Sequence, residues 1–223
     1  MTALTDIGEI SISDSREGGK DYLLRPSFEA MTRIGTPEEI VQAYATIHGS
    51  DVAQLIEVCA GTLGRFPAWL SPSFNRAAEK LFFASWQVLQ ACCEDDLTPM
   101  IGEWKAWSKC VVYRPGQIPK NDIIVLAQHL MQHGVVGKAK VRQLQRHETG
   151  EKTTEFRALD YIVAAQTHFR MSEAEAVRLT MTKFQMLLAA KYPDQKGFTR
   201  EEYDSIADDY LAKQAARRAK AKQ

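Results

Sequence analysis

Between residues 73 and 93 the chain sets Ala77, Leu81, Phe82, Trp86, Leu89 and Cys93 along one line, at steps of three and four with Leu81 and Phe82 adjacent. That spacing keeps side chains on one face of an α-helix, whereas a strand would need strict alternation. A helix of this length with an aromatic-rich apolar face must be covered by other helices, so the segment is expected to be the central element of a helical core. The rest of the chain supplies the cover. Thr36-Pro37-Glu38-Glu39 combines a capping threonine, a proline in the first turn and carboxylates at the positive end of a helix dipole. The helix it starts carries Ile40, Val41, Tyr44 and Ile47 and stops near Gly49. Ser27 caps a shorter helix ending at Gly35, and Ser50 or Asp51 caps another carrying Val52, Leu55, Ile56, Cys59 and Leu63.

Further along, Trp104 and Trp107 are three apart and are expected on one helical face. Asn121 is the expected cap of a helix buried through Ile123, Ile124, Leu126, Ala127, Leu130 and Met131, with Gly134 as its stop. Ser172 and Glu175 fit a capping box, opening a helix that runs to Tyr192. Thr199 caps a last helix, acidic through Asp209 and basic from Lys213 to Lys222. Before all of these, Ile10 and Ile12 share a strand face, Gly18-Gly19 permits a tight turn, and Pro26 closes the arm.

The expected fold is therefore mainly α: a multi-helix globular domain with a short N-terminal β-hairpin or arm and a helical C-terminal extension. The expected divisions are a β arm at 1–26, a helical core at 27–146, a linker at 147–153, a second helical region at 154–192, and a charged helix and tail at 193–223. Lys and Arg balance Asp and Glu at 28 each, which argues against whole-protein affinity for nucleic acid or an anionic membrane. The opening MTALTDIGEI lacks the apolar stretch of a signal peptide, and no run approaches the roughly 20 apolar residues of a membrane span. The expectation is a soluble cytoplasmic protein. Cys59, Cys92, Cys93 and Cys110 form no CxxC pair, so buried free thiols are expected.

The one constellation suggesting catalysis is His129 and His133, four apart in QHLMQHG. A zinc hydrolase helix needs HExxH, with the glutamate polarising the metal-bound water; here Leu130 occupies that position. The pair then reads as the polar last turn of an apolar helix, favoured by the negative end of its dipole. GVVGKA fails the phosphate-loop pattern, since Gln132 stands where its first glycine belongs and Ala139 follows Lys138. Lys138, Lys140, Arg142 and Arg146 lack interleaved aromatics and read as a solvated helix face rather than a phosphate-contacting one. No GxSxG surrounds Ser27 or Ser73. No catalytic residue, metal site or cofactor is expected.

Two stretches carry a family likeness. YLLRPSFEAMTRIGTPEEIVQAYATIHG, through Leu24, Arg25, Pro26, Ser27, Phe28 and Glu29, resembles the opening of tail assembly chaperones from long-tailed bacteriophages and related gene-transfer particles. MSEAEAVRLTMTKFQMLLAAKYP, through Met181, Thr182, Phe184 and Leu187, is similar to a C-terminal segment of the same proteins. The resemblance implies a non-catalytic helical protein that binds the tape-measure protein, recruits major tail-tube subunits to it, works in the host cell cytoplasm and is absent from the mature virion. It implies partner contacts through Arg25, Phe28, Met181, Phe184 and Leu187, and leaves homo-oligomerisation open. The rival readings are a structural virion protein, such as a head–tail connector or minor tail component, and a metal-dependent hydrolase using His129 and His133. A DNA-binding role through residues 138–146 stands last.

Overall fold

The structure is a computed structural model that describes residues 3–14, 16, 18–49, 57, 59, 61, 68–108, 110–139 and 154–192. The chain divides into two units, 1–190 and 191–223. Of the second only Lys191 and Tyr192 are described, the lysine ammonium lying 5.6 Å from the tyrosine ring centre.

The first unit is mainly α, as the apolar spacing demanded. After a short turn at Thr5–Ile7, strands β1 (Ile10–Ser13) and β2 (Asp21–Leu24) pair antiparallel, Ile10 against Leu24 and Ser13 against Asp21. Alternation along β2 turns Tyr22 and Leu24 into the core and leaves Asp21 and Leu23 facing out. Helix α1 (Phe28–Ile34) begins where Ser27 accepts the Ala30 amide, and α2 (Pro37–Ile47) begins in a complete capping box between Thr36 and Glu39. Helix α3 (Ser71–Cys92) is the long central element, sending Phe82, Val88, Leu89 and Cys92 inward. A single turn, α4 (Thr98–Ile101), leads to a second hairpin, β3 (Glu103–Ala106) with β4 (Val111–Arg114). Helix α5 (Lys120–Met131) packs on α3 and α2 and buries Ile123, Ala127, Leu130 and Met131. Helices α6 (Ala158–Phe169), α7 (Glu173–Ala176) and α8 (Met181–Lys191) complete the unit.

These elements share one core on both sides of the 147–153 stretch. Leu24, Phe28, Met31, Leu89, Ile101, Ile123 and Leu130 lie in the same buried cluster as Phe156, Ile162, Ala165 and Phe184. The Phe156 amide donates to the Pro37 carbonyl at 2.9 Å, tying the later helices to the start of α2. No helix among the described residues is long and apolar enough to cross a membrane.

Five local expectations are corrected. Trp104 and Trp107 do not share a helix face: Trp104 sits mid-strand in β3, half-buried against Phe82 and Tyr113, while Trp107 lies past the strand end and is 63% exposed. The β-branched and aromatic run Val111, Val112, Tyr113 is what makes the segment a hairpin, because its partner strand offers Trp104 a cross-strand aromatic. Asn121 is not a cap, since α5 starts one residue earlier behind Pro119. Gly134 is not a stop, because the helix continues as a π-turn over Gln132–Val136 and ends at Gly137, whose φ of 84° suits glycine. Ser172 caps only the short α7, and the chain leaves the helix before Leu179 and Thr180 and re-enters at Met181. All four cysteines are free, and Cys110 is exposed rather than buried. The helix expected from residue 50, the segment 140–153 and the helix expected from Thr199 lie outside the described residues, apart from Glu57, Cys59 and Gly61.

The capping box of α2 gives a direct test. Thr36→Ala should lower the unfolding free energy by about 1 kcal/mol in urea titration, whereas Thr36→Ser should change it by less than about half of that.

Candidate functional site

The junction Leu24–Phe28 organises a concavity on the described structure. Leu24 is fully buried and bridges to Cys93, and the Arg25 amide donates to the Cys92 carbonyl at 2.8 Å. The strand therefore ends against the C-terminus of α3. Pro26 then turns the chain, and Ser27 pairs antiparallel with Thr180. Two amides of the first turn of α1, which no helix can satisfy internally, find carbonyls on the stretch between α7 and α8. Phe28 donates to Leu179 at 2.9 Å, and Glu29 donates to Val177 at 3.1 Å. Thr180 and Leu179 are buried while Arg178, between the two accepting residues, is exposed.

Around this junction lies a cavity of about 300 Å³. Its walls are the outer face of β1–β2 (Ser11, Asp21, Leu23, Arg25), the start of α1 (Ser27, Glu29, Ala30, Arg33), the end of α3 (Cys92, Glu94, Asp95) and Arg178. Four of its charges, Arg25, Glu29, Arg33 and Asp95, are committed. Arg25 pairs with the buried Glu9 at 2.6 Å, Arg33 with Glu29 at 2.7 Å, and Asp95 with Lys20 at 2.6 Å. Asp21, Glu94 and Arg178 have no ion pair among the described residues, so the cavity offers one free cation and two free carboxylates to a visitor. Burial pushes the Cys92 thiol far above its ordinary value, so it is a packing group rather than a nucleophile. The arrangement suits recognition of a charged polypeptide surface by ion pairs and hydrogen bonds.

The resemblance-derived residues do not all reach that surface. Arg25 lines the cavity. Phe28, Met181 and Phe184 are enclosed in the core, and Leu187 packs half-buried against it. Phe28 stacks on Tyr161 at 5.6 Å and meets Phe184 edge-on at 6.0 Å. Phe28, Met181 and Phe184 thus stand inside the core rather than on the cavity wall. Arg178 and Glu94 are the residues that sequence reasoning missed. Their only signal was a charge set within or just after an apolar run, AVRLT and QACCE.

The two histidines are also not what the helix-end reading implied. Their ring centres are 4.6 Å apart, His133 is 4% exposed, and it lies inside the π-turn rather than at a free helix end. Gly8, at φ 91°, presses its backbone against the His133 ring. The Thr182 hydroxyl stands 2.8 Å from His133 Nδ1 and also accepts the Lys138 amide at 3.0 Å. His129 Nε2 is buried without a hydrogen-bond partner among the described residues. Burial first, then His129 and Lys138, hold His133 down to about 4, and burial and Lys138 lower His129. The dipole would favour imidazolium, but desolvation wins and both rings are held neutral at pH 7. No group of three potential metal ligands exists among the described residues.

These depressed values predict acid sensitivity. The unfolded chain, with His133 near 6.5, binds more protons than the folded chain, with His133 about 4, so stability falls as pH drops through that window. Urea titrations at stepped pH should show this loss. His133→Gln, which keeps a partner for Thr182, should flatten it.

Comparison with known proteins gives one result for this chain. A family model described as a family of unknown function (DUF6246) matches residues 24–205. No curated protein and no solved structure matches.

Proposed function

The chain belongs to the DUF6246 family, and we propose that it is a tail assembly chaperone of a long-tailed bacteriophage or related gene-transfer particle, working by protein binding without catalysis. The observation that supports this reading is the meeting of the two stretches that carry the likeness. Residues 24–29 and 177–187 are far apart in sequence, yet Phe28 bonds to Leu179 through its amide and to Phe184 through its ring. The likeness therefore falls on one structural unit rather than on two unrelated helices.

In this reading the enclosed aromatics hold the unit together, and the partner meets its rim. Asp21, Glu94 and Arg178 supply charges of both signs around the cavity, suited to a helical segment of the tape-measure protein with alternating charge. Contacts of that kind are transient and salt-sensitive, as a factor that delivers tail-tube subunits and then leaves requires. The protein would act in the host cytoplasm and be missing from finished particles.

Co-expression with tape-measure and tail-tube proteins of a long-tailed bacteriophage should yield a complex on affinity purification, weakened by Arg178→Glu and by raised salt. Failure of either protein to associate would contradict the proposal, as would finding the chain stoichiometrically in purified virions.

A further inference from the structure

The hairpin β3–β4 is a two-stranded sheet, and neither of its outer edges pairs with another strand among the described residues. We propose that the edge of β3 is a self-association surface, on which β3 of one copy pairs antiparallel with β3 of a second copy about a two-fold axis at Trp104. The proposal is independent of the chaperone reading.

The backbone sets the first condition. The Trp107 amide donates to the Cys110 carbonyl at 2.7 Å, which makes that opposed pair a hydrogen-bonded one. In an antiparallel ladder bonded and non-bonded pairs alternate, so Lys105 with Val112 and Glu103 with Arg114 are the bonded pairs within the hairpin. Trp104 and Ala106 then turn their N–H and C=O groups away from β4, toward the open edge. No backbone group among the described residues pairs with them. Two Trp104 residues facing each other across a two-fold axis satisfy the Trp104 groups reciprocally.

Charge selects the occupant and the register. With Trp104 opposite its own copy, Glu103 of each chain faces Lys105 of the other, giving two opposite-charge pairs directly across the strands. Neither Glu103 nor Lys105 makes an ion pair within the chain among the described residues. Moving the axis by one residue in either direction sets Lys105 against Lys105 or Glu103 against Glu103. The same operation on β4, with Tyr113 opposite its own copy, places Arg114 against Val112 and provides no opposite-charge pair. The edge of β3 is therefore complementary to itself in one register. It is also flanked by apolar surface that remains exposed in the single chain, with Trp107 at 63% and Val111 at 62%.

Four-residue strands cover much less than the roughly 1,200 Å² of a stable interface, so the association is concentration-dependent. Sedimentation velocity of the full chain, from about 10 μM to about 1 mM, spans the dissociation constants of weak interfaces. A dimer should grow in over that range. Lys105→Glu, at an exposed position, should weaken it about ten-fold, because both cross-strand pairs become repulsive. Glu103→Lys combined with Lys105→Glu re-creates both pairs with signs exchanged and should restore the wild-type constant to within about two-fold. A monomer at every concentration would overturn the proposal. So would a dimer indifferent to Lys105→Glu, or one that the double exchange fails to restore.

Discussion

The structure depends on the satisfaction of one helix start by a distant segment. The first amides of any helix lack internal acceptors and must be paired elsewhere when they are buried. In α1 the Ser27 hydroxyl takes the Ala30 amide, and the carbonyls of Leu179 and Val177 take those of Phe28 and Glu29. That arrangement brings 177–180 against the end of the N-terminal hairpin and lets Phe28 fill the space between α6 and α8, against Tyr161 and Phe184. Burial of a side chain of this size contributes about 1.5–3 kcal/mol. The same junction ends β2 against α3 through Leu24 and Arg25. Hairpin, central helix and C-terminal helices thus meet at five consecutive residues, and the charged cavity is the outer surface of that meeting.

Much of the fold was legible where the physics is local. Ser27 and Thr36 cap the helices they were expected to cap, and Ser172 caps a helix start where one was expected, because a short polar side chain before an apolar helical run has few better uses. The central helix lies within two residues of its expected start, since its apolar face repeats for more than four turns. What was not legible depends on tertiary context. Trp104 and Trp107 have helical spacing, but pairing with Tyr113 and packing on Phe82 decide in favour of a strand. The break between α7 and α8 carries no glycine or proline; it exists because Val177 and Leu179 give their carbonyls to α1 instead of continuing a helix. The π-turn after Met131 likewise has no local signature, and carries the helix past a glycine that packs against Met31.

The candidate site was less legible than the fold. Of the residues singled out by resemblance, Phe28, Met181 and Phe184 lie inside the core, while Arg25 lines the cavity and Leu187 is half-buried. The charges that line the cavity come from β2, the end of α3 and the α7–α8 connection, and no spacing rule relates Asp21, Glu94 and Arg178. The histidine pair was visible as a spacing, but its meaning turns on Thr182, forty-nine positions away, and on Gly8 at the other end of the chain. Chemistry set by neighbours brought together through folding is not written in the local pattern.

Native-state amide exchange at Phe28 and Glu29 tests the central role of this junction most directly. First-turn amides of a short helix ordinarily exchange through local fraying. If the junction is the constraint on which the fold rests, these two amides should exchange only through global unfolding, with the same free energy as the slowest amides of α3. Exchange through local opening, orders of magnitude faster than in α3, would contradict the account.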